Sequence, residues 1–216
     1  MQEAYNEQNV HWIGFTGFST REVLSNKPLY SLADFKGLKI RATGLEAKLL
    51  EKMGAAPTFV DLGELYMALS LGTVDAQLFA WPRKILNMKL CEVSKYAISP
   101  TWTGCSSNFI AGLDAWNSLP EDLQKIVTLA YFESSCGHRR AAKENEDRQA
   151  EEIMARDYGY TKILLPQEDI DQIEAFAYEV WDEVAAKNDR CAKGIAMLKD
   201  LRDWNKIRYQ GIYPYD

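Results

Sequence analysis

Two side chains that carry much of enzyme chemistry are scarce here. The 216 residues include two histidines, His11 and His138, and four cysteines, Cys91, Cys105, Cys136 and Cys191. The cysteines are widely spaced, with no Cys-x-x-Cys motif and no nearby Cys/His pair, so a zinc site has no support. With two distant histidines and no nucleophile motif, hydrolase chemistry of the usual triad kind has little support. His11 opens an apolar run and reads as a strand-end residue. His138 sits among Arg and Glu and reads as part of a solvated helix face. Cys91 and Cys105 fall near element boundaries; they either pair in an oxidising compartment or stay free and buried, the commoner state. Long apolar runs are also missing, and none reaches the ~18 residues that a membrane-crossing helix needs. There is no basic tract: 25 Lys and Arg stand against 31 Asp and Glu, a net charge of −6. That balance argues against a nucleic-acid partner. The polar opening Met1 to Asn9 does not have the make-up of a signal peptide, which still leaves room for a mature or truncated form of an exported protein.

What is present is a core. Hydrophobic residues make up 47% of the chain, enough for one large domain or two small ones. Val10 to Phe18 reads as a strand leading into a Gly-containing loop. Leu38 to Ala42 reads as a short buried strand. Leu45 to Met53 has helical spacing, with Leu45, Leu49, Leu50 and Met53 on one side and Gly54 as a stop. Pro57 to Val60 is a strand, Glu64 to Leu71 a helix stopped by Gly72, and Val74 to Ala80 a strand. This alternation argues for parallel pairing with helices covering the sheet. Pro82 to Ser94 follows as a helix, then strands over Lys95 to Ser99 and Asn108 to Leu113. Ser118, Pro120, Glu121 and Asp122 look like a helix entry, with Ser118 as N-cap. A helical pattern runs from Pro120 to about Tyr158, with Gly137 placed to bend it. Thr161 to Leu165 is a short strand, and Gln167 to Lys187 and Cys191 to Ile207 are closing amphipathic helices.

Arg41 carries the chemistry. It ends Leu32-Ala33-Asp34-Phe35-Lys36-Gly37-Leu38-Lys39-Ile40-Arg41, a turn running into an apolar strand. A guanidinium at a strand tip is a ready clamp for a carboxylate, because its planar fork gives two charge-assisted hydrogen bonds to one anionic group. An arbitrary strand-end Arg is more often merely solvated; the surrounding residues are what favour the clamp.

Those residues resemble the substrate-binding proteins of tripartite ATP-independent periplasmic (TRAP) transporters, the DctP-like family. Lys27-Pro28 and the run from Leu32 to Arg41 look like the family's "kP…DlkGlKiR" segment. Gly54-Ala55-Ala56-Pro57 and Glu64-Leu65-Tyr66-Met67-Ala68-Leu69 look like its "Ga-p…gE-Y-AL" signature, Gly72-Thr73-Val74-Asp75-Ala76 like its "G-vDg/a" strand, and Leu119-Pro120-Glu121-Asp122-Leu123-Gln124 like the start of its long helix. Each motif is weak alone; their order and intervals make the signal. The match begins near Val10, and the family's opening βα section is not seen before it.

The resemblance implies an α/β, two-lobed periplasmic-binding-protein-like fold with a hinge and a long lobe-bridging helix, truncated at the front. Residues 1–37 would be a remnant of the first lobe and the crossover, and 38–98 the second lobe. Residues 99–158 would hold the return strand of the first lobe and the bridging helix, and 159–216 the last strand and the closing helices. The resemblance also implies that Arg41 bonds a substrate carboxylate and that Arg21 supplies a second cation, with a solvated loop cation as the competing reading. Phe79 takes the place of a cleft-facing Asn or Trp. Leu78 takes the place of a Glu that binds metal in some keto-acid-binding members, so neither a metal nor a cofactor is expected. Phe79 and Trp81 fit either an apolar wall against a ligand or the core. Trp102 fits the cleft or the hinge, and Asn108 a ligand amide contact or a strand-start hydrogen bond. Glu64, Tyr66 and Asp75 read as structural. The expected function is a periplasmic receptor that delivers a small organic acid to TRAP membrane subunits, with no reaction catalysed and no membrane insertion of its own. The rivals are an α/β enzyme acting on a carboxylate or phosphate, for which no base, nucleophile or phosphate loop accompanies the arginines, and an interaction domain using the charged helix.

Overall fold

The computed structural model describes residues 2–135 and 138–208, and within them all side chains but those of 16–19, 105–106, 138–142 and 204–208. In chain order the elements are α1 (Gln2–Asn6), β1 (Val10–Ser25), β2 (Lys39–Arg41), α2 (Gly44–Lys52), β3 (Ala56–Thr58), α3 (Leu65–Ser70), β4 (Ala76–Leu78), α4 (Pro82–Asn87), β5 (Tyr96–Gly112), α5 (Leu113–Ser118), α6 (Glu121–Ser135), α7 (His138–Tyr158), β6 (Thr161–Leu164), α8 (Gln167–Ala185) and α9 (Asp189–Arg208). The strands form one mixed sheet in the order β3-β2-β4-β1-β5-β6. β2 runs parallel to both β3 and β4, and β5 parallel to β6, as the strand–helix alternation predicts. β1 runs antiparallel to β4 and β5.

Period-two alternation along the central strands feeds two cores. Val23, Ile40, Ala76, Leu78 and Ile98 face Leu49 and Leu50 of α2 and Ile173 and Val180 of α8. Leu24 and Ala97 face the other way, onto Leu65 and Leu69 of α3, Ile85 of α4 and Met154 of α7. Helices therefore cover both faces, the three-layer α/β arrangement.

Several elements depart from expectation. β1 and β5 are single strands of 16 and 17 residues, where one strand with a loop over Val10 to Phe18 and two separate strands over Lys95 to Ser99 and Asn108 to Leu113 are expected. Their ladder runs from Val10↔Gly112 through Arg21↔Thr103 to Ser25↔Tyr96, broken by three register shifts, the last between Arg21 and Val23. Only the last part lies inside the six-stranded sheet; the rest projects beyond it with α5 and α6. The expected helix from Pro82 to Ser94 ends at Asn87, because Lys89 adopts a left-handed backbone (φ 56°) before a short 3-10 turn at Leu90–Glu92. Ser118 does not cap α6. It is the last residue of α5, and its hydroxyl donates to the Ala115 carbonyl at 2.8 Å. The stretch from Pro120 to Tyr158 is helical as α6 and α7; Gly137, where a bend was expected, lies outside the described residues. α6 meets the projecting ladder, Tyr131 donating to the Phe15 carbonyl at 2.6 Å, while α7 packs on α4 and the sheet. Cys91 is buried and free, so it does not pair with Cys105.

Candidate binding site

The site begins with strand direction. β2 and β4 are parallel neighbours, and their carboxyl ends open at the same edge of the sheet, the usual place for a ligand in such folds. Arg41 is the last residue of β2, and Phe79 follows β4 directly. β1 passes β4 antiparallel, so its residue Arg21 arrives at the same edge just before the ladder enters the sheet. The three meet: Cζ of Arg41 lies 5.0 Å from the centre of the Phe79 ring, and Cζ of Arg21 lies 5.8 Å from it. Two guanidinium groups thus share one aromatic ring, a cation–π arrangement that desolvation strengthens.

Arg41 is 6% exposed. Its only hydrogen bond among the described residues runs from Nε to the Val60 carbonyl at 3.2 Å, which fixes the plane of the fork and leaves the two terminal nitrogens uncommitted. Burial, then repulsion from Arg21, holds its pKa below the usual arginine value, yet a guanidinium stays charged. A buried cation without a counter-charge is costly, and a ligand anion would relieve that cost. Arg21 has a partner already: its Nη1 lies 2.7 Å from Oε2 of Glu46, in the first turn of α2. Burial raises the Glu46 carboxyl, and the Arg21 charge opposes that shift.

Trp102 lies nearby on β5. It meets Phe35 edge-on at 6.1 Å, and its buried Nε1 has no hydrogen-bond partner. It lines a cavity of about 470 Å³ together with Leu45, Glu46, Thr103, Ile173 and Trp181. Glu46 is shared between this cavity and the arginine pair. The other two expected residues stand apart. Trp81 caps the start of α4, with Lys143 of α7 over its ring at 5.1 Å. Asn108 is further along β5 on the projecting ladder, its amide oxygen accepting from Trp12 Nε1 at 2.9 Å. Leu78 is a core residue, 1% exposed, with no side-chain oxygen to offer a metal. Sequence reasoning passed over Glu46 and the Val60 carbonyl. The first had a visible signal, an acid in the first turn of the helix that follows the Arg41 strand; a backbone acceptor leaves no trace in side-chain chemistry. Asp75 is structural as expected, accepting from the Lys39 amide at 3.2 Å and pairing with Lys27 at 3.3 Å.

Known proteins share this architecture. The chain is 26% identical to the monocarboxylate 2-oxoacid-binding periplasmic protein of Nostoc sp. over 96% of its own length and 58% of the relative's. It is 28% identical to the C4-dicarboxylate-binding periplasmic protein DctP of Rhodobacter capsulatus over 74% of its length and 46% of that protein's. A TRAP periplasmic solute-binding protein of Colwellia psychrerythraea, crystallised with calcium and pyruvate, superposes with a TM-score of 0.84 at 28% identity, over 98% of this chain and 66% of that one. The chain therefore spans about half to two-thirds of the length of these proteins. Residues 1–188 match the family described as bacterial extracellular solute-binding protein, family 7, and the chain belongs to this DctP family.

Proposed function

We propose that this chain forms the carboxylate-holding part of a periplasmic receptor that captures a small organic acid for a TRAP-type transporter. The observation that carries this reading is Arg41: a buried guanidinium at the carboxyl ends of parallel strands, oriented by one backbone carbonyl, braced on Phe79, with its terminal nitrogens uncommitted. A carboxylate fits that fork with two parallel charge-assisted bonds. The unpartnered Trp102 Nε1 is a neutral donor suited to a ligand oxygen. The names of the Nostoc and Rhodobacter relatives and the pyruvate in the Colwellia protein agree with an acid as ligand.

The crossing of β1 and β5, where the register shifts between Arg21 and Val23, is the natural hinge for closure, and the closed form would dock on the membrane subunits. Binding rather than turnover is the proposed role. No metal step is included, because the Leu78 side chain supplies no ligand atom. Among the described residues no helix is long and apolar enough to cross a membrane.

A thermal-shift screen of small carboxylates against neutral sugars and polyols tests this directly. Ligand at a hundredfold excess over Kd stabilises the native state by about 2.7 kcal/mol. At least one carboxylate should raise the melting temperature by several degrees while neutral compounds leave it unmoved. A response confined to neutral compounds would contradict the reading.

A further inference from the structure

Glu46 stands beside the arginine pair, and the carboxylate reading gives it no task. Its Oε2 lies 2.7 Å from Arg21 Nη1, and the two side chains are only 15% and 20% exposed. A short ion pair so shielded from water does not open readily for a ligand, since separating it strands a carboxylate in a low-dielectric site. One of the two guanidinium groups over Phe79 is therefore neutralised from within the protein. The other, Arg41, has no carboxylate within ion-pair distance among the described residues; its one hydrogen bond goes to the Val60 backbone. Asp61 is the remaining acid whose field reaches Arg41. It is exposed, and its carboxylate accepts from the Gly63 amide at 2.9 Å, so water and salt screen it. Two arginines and one glutamate leave a single net positive charge at the site.

We propose that Glu46 is a specificity-determining residue that sets the site to accept one negative charge, so that monocarboxylates bind in preference to dicarboxylates of the same chain length. The inference rests on the carboxylate reading above. A monoanion on Arg41 brings the site to neutrality. A dianion carries a second carboxylate into surroundings whose other cation is already paired, where it faces the like charge of Glu46. Discrimination then comes from an unpaired charge, the strongest lever a small site has against a near-identical ligand.

The test is calorimetric titration of the 216-residue chain and its Glu46→Gln variant with two matched pairs, butyrate against succinate and 2-hydroxybutyrate against malate. Glutamine keeps the shape and an oxygen for Arg21. The wild type should bind the monocarboxylate of each pair at least tenfold more tightly. Glu46→Gln should narrow that ratio at least fivefold, chiefly by gaining affinity for the dicarboxylate. Arg41→Ala, run in parallel, should lose both ligands of each pair. A ratio unmoved by Glu46→Gln, with Arg41→Ala still abolishing binding, overturns this proposal and leaves the carboxylate reading standing. Equal or tighter binding of the dicarboxylates by the wild type overturns it without recourse to the variant. No binding of any carboxylate by the wild type overturns both.

Discussion

Arg41 and Arg21 over one phenyl ring gather positive charge at the edge of the sheet. Burial and mutual repulsion act on the same guanidinium. Such strain is the usual cost of a preorganised site, and it makes Arg41→Met informative. That substitution should raise the melting temperature of the unliganded chain while removing its response to carboxylates; a lower melting temperature would show that Arg41 is held mainly for stability. On the opposite side of β1, Glu22 is 4% exposed and meets the Tyr160 hydroxyl at 2.6 Å and Lys162 Nζ at 3.4 Å. Burial raises its carboxyl above the ordinary value of 4.5, and Lys162 and Tyr160 do not fully offset this. The folded state therefore holds that proton more tightly than the unfolded chain. The group's stabilising contribution is complete below the unfolded pKa and is lost as pH rises through the folded one. Urea unfolding at pH 7 and pH 5 should show wild type gaining stability relative to Glu22→Gln as pH falls. An equal difference at both values would refute the buried-carboxylate assignment.

At the scale of elements, packing and surface charge should separate cleanly. α2 lies on α8 through Leu50, which is fully buried, and through the exposed pairs of Lys48 and Lys52 with Glu183 and Glu179. Leu50→Ala should cost about 2–5 kcal/mol, the range for a buried leucine that leaves a cavity. Lys48→Ala should be hard to tell from wild type in the same urea titration, since exposed ion pairs add little. These helices and the short parallel strands were legible because their signals are local: 3.6-residue spacing in α2, Gly54 at φ 85° after it, and apolar residues at alternate positions in and beside β2 (Leu38, Ile40, Ala42) and β4 (Val74, Ala76, Leu78, Ala80). The long antiparallel strands were not. Thr16 to Thr20 and Thr101 to Ser107 are rich in Gly, Ser and Thr without an apolar stripe, and what holds them extended is each other, far away in sequence. In the candidate site, Arg41, Arg21 and Phe79 were legible through the motif order. Trp81 and Asn108 sit elsewhere because a motif gives position along the chain and not the direction in which a side chain leaves it.

Across the whole molecule, the projecting ladder and the helix beside it expose large apolar side chains on both sides of the ladder. Phe15, Phe109 and Ile110 on the projecting ladder and Leu123, Ile126, Leu129 and Phe132 on α6 are exposed by 42% or more. Large apolar side chains left in water favour association. The 216-residue chain should show concentration-dependent association by sedimentation velocity, and Leu129→Lys with Phe132→Lys should reduce it; a strict monomer at all concentrations would go against that expectation. The candidate site lies at the other end of the ladder, where the strands enter the sheet, so such variants should leave carboxylate affinity unchanged. The central claim is that an acid is held by Arg41. Titration calorimetry of wild type, Arg41→Lys and Arg41→Ala with the best carboxylate from the screen tests it most directly. Arg41→Ala should lose at least about 2 kcal/mol of binding free energy, and Arg41→Lys should fall between it and wild type because a point charge cannot replace the fork. Wild-type affinity in Arg41→Ala would contradict the account.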